Sequence, residues 1–429
     1  MTFPKRIHCV GIGGVGLSAL AQLLQHEGHI LSGSDRSESP VTEMLAGKGI
    51  AVHIGHSASN ISSDVELVIY SAAVPLDNPE RTEAQARGLS EMSYPEALGK
   101  VSETKQTIAI SGTHGKTTTT AMIAKMLVDI GRSPTAIIGS LTKDFESNFV
   151  PGESNLFVVE ACEYRRHFLN ISPFVLVITN IEFDHTDYFK DLNDFISAFN
   201  AMAKRVPKEG IIVADLSEAS VAKALAGVSA PVVDYRAETS PELNLIGEFN
   251  KMNARAAKAA VKAVAADVDE MALDVSLRGF SGTWRRFEYK GKTAKGALVY
   301  DDYAHHPTAI KGTIAAAREK FPDKLITVVF QPHLYSRTKS LLHDFAESLA
   351  TASDVVLLPI YAAREQLDPE ISSELLASEI VKISPGLEVR VFQDFSLAKN
   401  LLLQLCKDDT VIITMGASDI YKLAEELVA

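Results

Sequence analysis

The chain has 429 residues, of which 46% are hydrophobic and 22% charged, the composition of a globular protein with room for two or three cores. A net charge of -12 with no basic run excludes a nucleic-acid partner, because neutralising phosphates takes clustered Lys and Arg. Three widely separated cysteines (Cys9, Cys162, Cys406) offer neither a disulfide framework nor a CxxC metal pattern, and they fit a reducing cytoplasm.

The opening "MTFPKR" leads directly into the strand-like "IHCVGIGG". No signal peptide is expected, and no apolar run reaches spanning length, so no membrane partner is expected either. From there the pattern is a repeated alternation of strand and helix, which implies parallel sheets flanked by helices. The first group runs through the strand "RIHCVGIGG", the helix "VGLSALAQLLQHEG" and the strands "HILSGSD" and "VELVIYSAA". A second starts after the polar link "GKVSETKQ" with "TIAISG", a helix through Leu127, and later "NLFVVEAC" and "FVLVITNIEFDH". A third starts near "GALVYDDYAHHP" and continues through "LITVVFQPH", "DVVLLPIY", "LEVRVFQD" and "DTVIITMG". The expected fold class is therefore α/β with three domains. These are a Rossmann-like N-terminal domain (1–102), a P-loop-type central ATPase domain (103–290) and a Rossmann-like C-terminal domain (291–429). Linkers are expected near 100–105 and 288–296.

In the first domain, Gly11, Gly13, Gly14, Val15 and Gly16 form a G-x-G-x-x-G pattern between a strand and a helix. Glycines there let the backbone approach a pyrophosphate at a helix N-terminus. Asp35, ending the next strand, stands where a ribose-binding carboxylate is expected. Taken alone, this loop suits a nicotinamide oxidoreductase as well as any other nucleotide diphosphate.

The central domain adds "GTHGKTTTT", Gly112 to Thr120, between a strand and a helix. It is a shortened phosphate loop. Gly112, Thr113, His114, Gly115 and Thr118 would surround an anion, Lys116 would reach terminal phosphates and Thr117 would ligate Mg2+. Glu160 and His185 follow strands of the same sheet, at the edge where open sheets bind ligands, and could complete the metal shell, with Glu163 as an alternative to Glu160. In the third domain the adjacent His305 and His306 favour positioning of ATP or substrate over metal binding. His333, Arg337 and Arg364 could clasp a carboxylate, although solvated loop charges explain them equally well.

Taken in order, "GIGGVGLSALAQLL", "NPE" (Asn78 to Glu80), "GTHGKTTTT", "EACEYRRHFL", "TNIEFDHTDYF", "RRFE" (Arg285 to Glu288), "DDYAHHPTAI", "FQPHLYSRT" and "MGASDI" resemble the Mur ligases over nearly the whole chain. The resemblance implies an ATP- and Mg2+-dependent ligase of peptidoglycan precursor synthesis. UDP-N-acetylmuramate would occupy the first domain, near Ser71 and Asn78, and ATP would lie between the second and third. The incoming amino acid, L-alanine, would be bound with help from the third domain, by His305, His333, Arg337 and Arg364. The lactyl carboxylate would be phosphorylated by ATP, and the acyl phosphate attacked by the amine. Arg286 and Asp302 match residues expected to contact the nucleotide. A monomer or homodimer is expected.

Several departures stand out. Where the family has Gly-x-His-Asn-x-x-Asn, this chain has Phe249 before Asn250 and Asn253, so the expected role of Phe249 is to stack on adenine, the alternative being a core phenylalanine. The stretch after "IIVAD" is short, and a hairpin is expected to be missing there. Leu334 replaces an Arg, Ser418 replaces a Gly, and Asn200 stands where some relatives carry a carbamoylated lysine. The alternatives are a ligase for a ready-made murein peptide, a nicotinamide oxidoreductase and a non-catalytic nucleotide-binding protein.

Overall fold

The computed structural model describes residues 3–428. Three sheets are formed, and their strands follow the chain without interleaving. The first contains β1 (Arg6–Val10), β2 (Ile30–Asp35), β3 (Ala51–Ile54), β4 (Leu67–Tyr70) and β5 (Ser90–Ser93), in the order β3-β2-β1-β4-β5, all parallel. The second contains β6 (Gln106–Ser111), β7 (Thr135–Thr142), β8 (Ser147–Val150), β9 (Leu156–Glu160), β10 (Val175–Ile178), β11 (Ile211–Ala214) and β12 (Val232–Asp234). Its order is β12-β11-β10-β6-β9-β7-β8, with only β8 antiparallel to its neighbour. The third contains β13 (Glu288–Lys292), β14 (Leu298–Asp302), β15 (Leu325–Phe330), β16 (Asp354–Leu357), β17 (Glu388–Val391) and β18 (Thr410–Met415). Its order is β13-β14-β18-β15-β16-β17, and β13 is its antiparallel edge.

The chain packs as two compact units. One runs up to Glu182 and includes Ile196–Glu242 and Asn253–Ser281; the other is Phe183–Phe195, Leu243–Met252 and the remainder from Gly282. The first unit therefore holds two sheets. Its halves are joined by the β7–β8 hairpin, an element with no counterpart in the sequence reading. Asn148 on β8 is fully buried; its amide donates to Val15 O (2.7 Å) and Ser18 Oγ (3.0 Å), and its carbonyl accepts from Gln22 Nε2 (3.0 Å). All three partners lie on α1 (Val15–His26), the helix that opens at the first glycine loop. A second close approach comes at Gly99, where a Cβ would lie 2.6 Å from Asn170 O.

In the second unit, β15 and β18 are apolar on both faces because helices cover both. Ile326, Val328 and Phe330 pack into one layer, and Val329 and Ile412 into the other. The segment expected as a linker at 288–296 is instead largely strand. Glu288–Lys292 pairs with β14, because its residues reach the free edge beside Val299 and Tyr300. Between Asp234 and the helix Glu248–Val264 the chain forms one 3-10 turn, Tyr235–Ala237, and no strand.

Candidate active site

The shortened phosphate loop closes because two glycines occupy backbone conformations that side chains rarely adopt. Gly112 has φ +130° and Gly115 φ +83°; a Cβ on the first would lie 2.0 Å from Thr179 Oγ1, and on the second 2.2 Å from Asn253 Oδ1. The residues between them are tied to the end of β10. Thr113 N donates to Asn180 O (3.1 Å), His114 N to Asn180 Oδ1 (2.9 Å) and Thr113 Oγ1 to Glu182 O (2.8 Å). The outward donors are thus the first-turn N–H groups of the helix Lys116–Asp129, which includes Thr117 and Thr118 and has no intrahelical acceptors at its start. Lys116 Nζ lies 3.0 Å from Glu163 and also donates to Gly112 O (2.5 Å) and Thr113 O (3.2 Å). Burial opposes its charge, but Glu163, Cys162 and Glu160 outweigh that, and its pKa is raised. The lysine therefore stays cationic.

Thr117 Oγ1 donates to Glu160 Oε2 at 2.8 Å. The carboxylate has room only because residue 139 on β7 lacks a side chain, since a Cβ there would lie 2.1 Å from Glu160 Oε2. A hydroxyl and a carboxylate converging in a glycine cradle are hard oxygen donors suited to Mg2+. His185, the other expected ligand, belongs to the second unit, where its backbone has φ +54° and its N–H donates to Asp184 Oδ1 (2.7 Å).

The first glycine loop works differently from the sequence reading. The N–H groups of Gly11 and Ile12 donate to Ser34 O (2.8 and 2.9 Å), that of Gly13 to Asp35 Oδ2 (2.9 Å) and that of Gly14 to Gly11 O (3.2 Å). All four are satisfied internally. Anion donors begin only with the first turn of α1 at Val15 and Gly16. Asp35, expected to hold a ribose, instead fixes the loop, and a Cβ on Gly13 would meet its carboxylate at 2.8 Å. Ser71 packs beneath the loop, 3.0 Å from where a Gly11 Cβ would sit. Asn78, expected near the UDP-sugar, is buried as the N-cap of the helix Pro79–Ala86, accepting from Glu80 N at 2.9 Å and Arg81 N at 3.4 Å.

A cavity of about 220 Å³ is lined both by the start of α1 and by Glu160, the carboxylate bonded to Thr117. Val15, Gly16, Tyr94, Glu160 and Cys162 line it, with apolar walls from Leu98, Ile137 and Phe168.

In the second unit, Arg286 sits between two residues of positive φ, Arg285 (60°) and Phe287 (47°), a strained turn of roughly 1–3 kcal/mol per residue. The turn is held from several sides. Asp302 accepts from Phe287 N and Ala304 N (both 2.7 Å), and Arg285 O accepts from Tyr303 N (2.7 Å). Asp302, expected to contact nucleotide, thus organises backbone, and burial pushes its carboxyl up to about 6. The buried Arg285, which the sequence reading passed over, bonds Asp301 (2.7 Å), Gly416 O (2.7 Å) and Ser418 O (2.6 Å). It locks the turn to the C-terminal loop and leaves the Arg286 guanidinium 5.2 Å from the Tyr303 ring centroid.

The expected amino-acid clasp is largely engaged within its own unit. Arg337 is buried and donates to Asp184 Oδ1 (2.8 Å), holding that carboxyl well below its usual range against the effect of burial. Arg364 pairs with Asp187 (2.6 Å), so both arginines have carboxylate partners already. His333 stacks on Tyr361 (5.8 Å between centroids) and lies 3.2 Å from Arg337; burial, then Arg337, lowers its pKa to about 4. His305 is likewise neutral, burial being the main cause, with Nδ1 2.9 Å from Tyr303 O. His306 caps the helix Pro307–Lys320. Phe249 is 40% exposed, so the core alternative does not hold, and its ring lies beside Gly247 and Gly312. Asn250 Nδ2 donates to Ile246 O (2.8 Å), whereas Asn253 is placed in the first unit over Gly115. Asn200 donates to Ala224 O and Ala226 O, both at 2.8 Å, and so acts as a brace between backbone segments.

The chain was compared with known proteins. Models described as the Mur ligase family catalytic domain, the Mur ligase middle domain and the Mur ligase glutamate ligase domain match residues 6–106, 110–242 and 285–418. Proteins named UDP-N-acetylmuramate--L-alanine ligase from Clostridium botulinum and Alkaliphilus metalliredigens are each 37% identical; the matches cover 98% and 99% of this chain and 97% of each relative. The crystal structure of a UDP-N-acetylmuramate-alanine ligase from Thermotoga maritima superposes with a TM-score of 0.80 at 27% identity, covering 99% of this chain and 98% of that one. A murein peptide ligase from Psychrobacter arcticus shares the fold, with a TM-score of 0.73 at 23% identity over 99% of this chain and the whole of the other. With a full-length relationship above a third identity and two phosphate-type loops each opening a helix in its first unit, the chain belongs to the Mur ligase family.

Proposed function

We infer that the chain is the ligase that joins L-alanine to the lactyl carboxylate of UDP-N-acetylmuramate, with cleavage of ATP to ADP and phosphate. The observation carrying this reading is the cavity of about 220 Å³ whose walls include both the first turn of α1 and Glu160. A sugar nucleotide with its pyrophosphate on α1 would direct its carboxylate toward Glu160, which is itself bonded to the phosphate-loop Thr117. A carboxylate is a poor acyl donor. Transfer of the terminal phosphoryl group of ATP to its oxygen makes an acyl phosphate, and attack by the alanine amine forms the amide and releases phosphate.

Lys116, kept cationic among carboxylates, moves its contacts from Glu163 and the loop carbonyls to the phosphate oxygens. Mg2+, held by Thr117 and Glu160, would supply positive charge where these carboxylates would otherwise repel the phosphates. Arg286, presented by its strained turn in the second unit, offers a cation to a phosphate oxygen. His333, neutral above pH 5, can accept a hydrogen bond from an incoming ammonium group.

Incubation with ATP, Mg2+, UDP-N-acetylmuramate and a panel of amino acids and murein peptides, followed by mass analysis, tests the reading. The expected product is UDP-N-acetylmuramoyl-L-alanine with one ADP formed per amide. Product formation only with a peptide, or none with any acceptor, would overturn it.

A further inference from the structure

Tyr94 belongs to none of the motifs singled out in the sequence, yet it forms part of the cavity wall. Its backbone is fixed by a capping box. Ser93 caps the helix Tyr94–Glu103, the Glu96 carboxylate accepts from Ser93 N at 2.7 Å, and Pro95 stiffens the first turn. Its ring lies over Gly16. A Cβ on Gly16 would meet Tyr94 Cζ at 2.7 Å and the hydroxyl at 2.8 Å, so this glycine leaves room for a phenol as well as for a ligand.

The hydroxyl thus sits against the first turn of α1, where the helix has N–H donors without intrahelical acceptors. The side chain is half-buried in the cavity wall, and its hydroxyl makes no hydrogen bond to any described residue. Burial, reinforced by the nearby Glu160, raises its pKa, so the group keeps its proton and acts as a donor. An unpartnered donor beside helix-start N–H groups suits an anionic oxygen.

Resting on the reading that this cavity receives the sugar nucleotide, we propose that the Tyr94 hydroxyl donates a hydrogen bond to a pyrophosphate oxygen of UDP-N-acetylmuramate, as the side-chain partner of the α1 N–H groups. Tyr94 is then a binding residue for the substrate, and Gly16 is small in order to seat it.

Calorimetric titration of the wild type and Tyr94→Phe with UDP-N-acetylmuramate, UDP and ATP tests the proposal. Phe keeps the ring and its packing on Gly16 and removes only the donor. The expected result is an affinity about tenfold weaker for both uridine nucleotides, a typical loss for one hydrogen bond to a charged group, with ATP affinity and thermal midpoint unchanged. Equal affinities in the two proteins would overturn the proposal. A loss confined to UDP-N-acetylmuramate, with UDP unaffected, would place the contact on the muramoyl group and also overturn it. Failure of the wild type to bind either uridine nucleotide would instead bring down the reading of the cavity, and this inference with it.

Discussion

Glu80 shows how much a single carboxylate can organise. It is fully buried, and it accepts from Ser34 Oγ (2.5 Å), Asn60 Nδ2 (2.6 Å) and Ser57 N (3.2 Å), with His8 Nε2 3.4 Å away. Ser34 in turn supplies the carbonyl that holds Gly11 and Ile12. Burial pulls the Glu80 pKa upward, but the bonds from His8, Ser34 and Asn60 prevail and bring it down to about 2. The carboxyl is therefore more acidic folded than unfolded. Its contribution to stability is complete above about pH 4.5 and is lost as pH falls through 2. Glu80→Gln should lower the urea midpoint at pH 7, and the gap from wild type should narrow as pH falls from 4.5 toward 2. A gap independent of pH would show that the charge of Glu80 is not what holds this network. The placement of Lys116, Thr117 and Glu160 was legible in the sequence because each keeps a fixed spacing to a strand end. Glu80 was legible only as part of "NPE", and Arg285 only as the neighbour of Arg286. Their roles depend on partners 16 to 133 positions away, which spacing does not reveal.

At the scale of elements, the two glycine loops share a plan: each engages its own N–H groups in internal hydrogen bonds and opens directly into a helix. The helices and central strands could be read from apolar runs and periodicity. The β7–β8 hairpin could not, because the polar Asn148 and Ser147 that make it useful look like loop residues in the sequence. Buried against α1, they find the amide and carbonyl partners that a buried polar group requires. The edge strand β13 was hidden similarly, since "EYKGK" has neither apolar alternation nor β-branched residues and forms by pairing with β14. Asn148→Ala should destabilise the protein by about 1–3 kcal/mol, the cost of leaving buried partners unsatisfied. It should also weaken UDP-N-acetylmuramate binding, because the Val15 carbonyl it holds lies at the start of α1. Thermal unfolding and nucleotide titration would check both; an unchanged midpoint would show that the hairpin does not anchor α1.

For the molecule as a whole, the three-sheet α/β architecture was legible because parallel strands buried on both faces read as continuous apolar runs, such as "LITVVF" and "TVIITM". The grouping into two units was not, since it rests on Asn148, Gly99 and Asn170 bringing the first two sheets together. That grouping puts the first glycine loop, the cavity and the phosphate loop within one unit. The central claim is that the lactyl carboxylate is activated by phosphorylation before the amide forms. It is tested most directly with UDP-N-acetylmuramate carrying 18O in that carboxylate, turned over with ATP, Mg2+ and L-alanine. The account predicts one 18O in the inorganic phosphate for each amide made. Unlabelled phosphate accompanying the amide would contradict it.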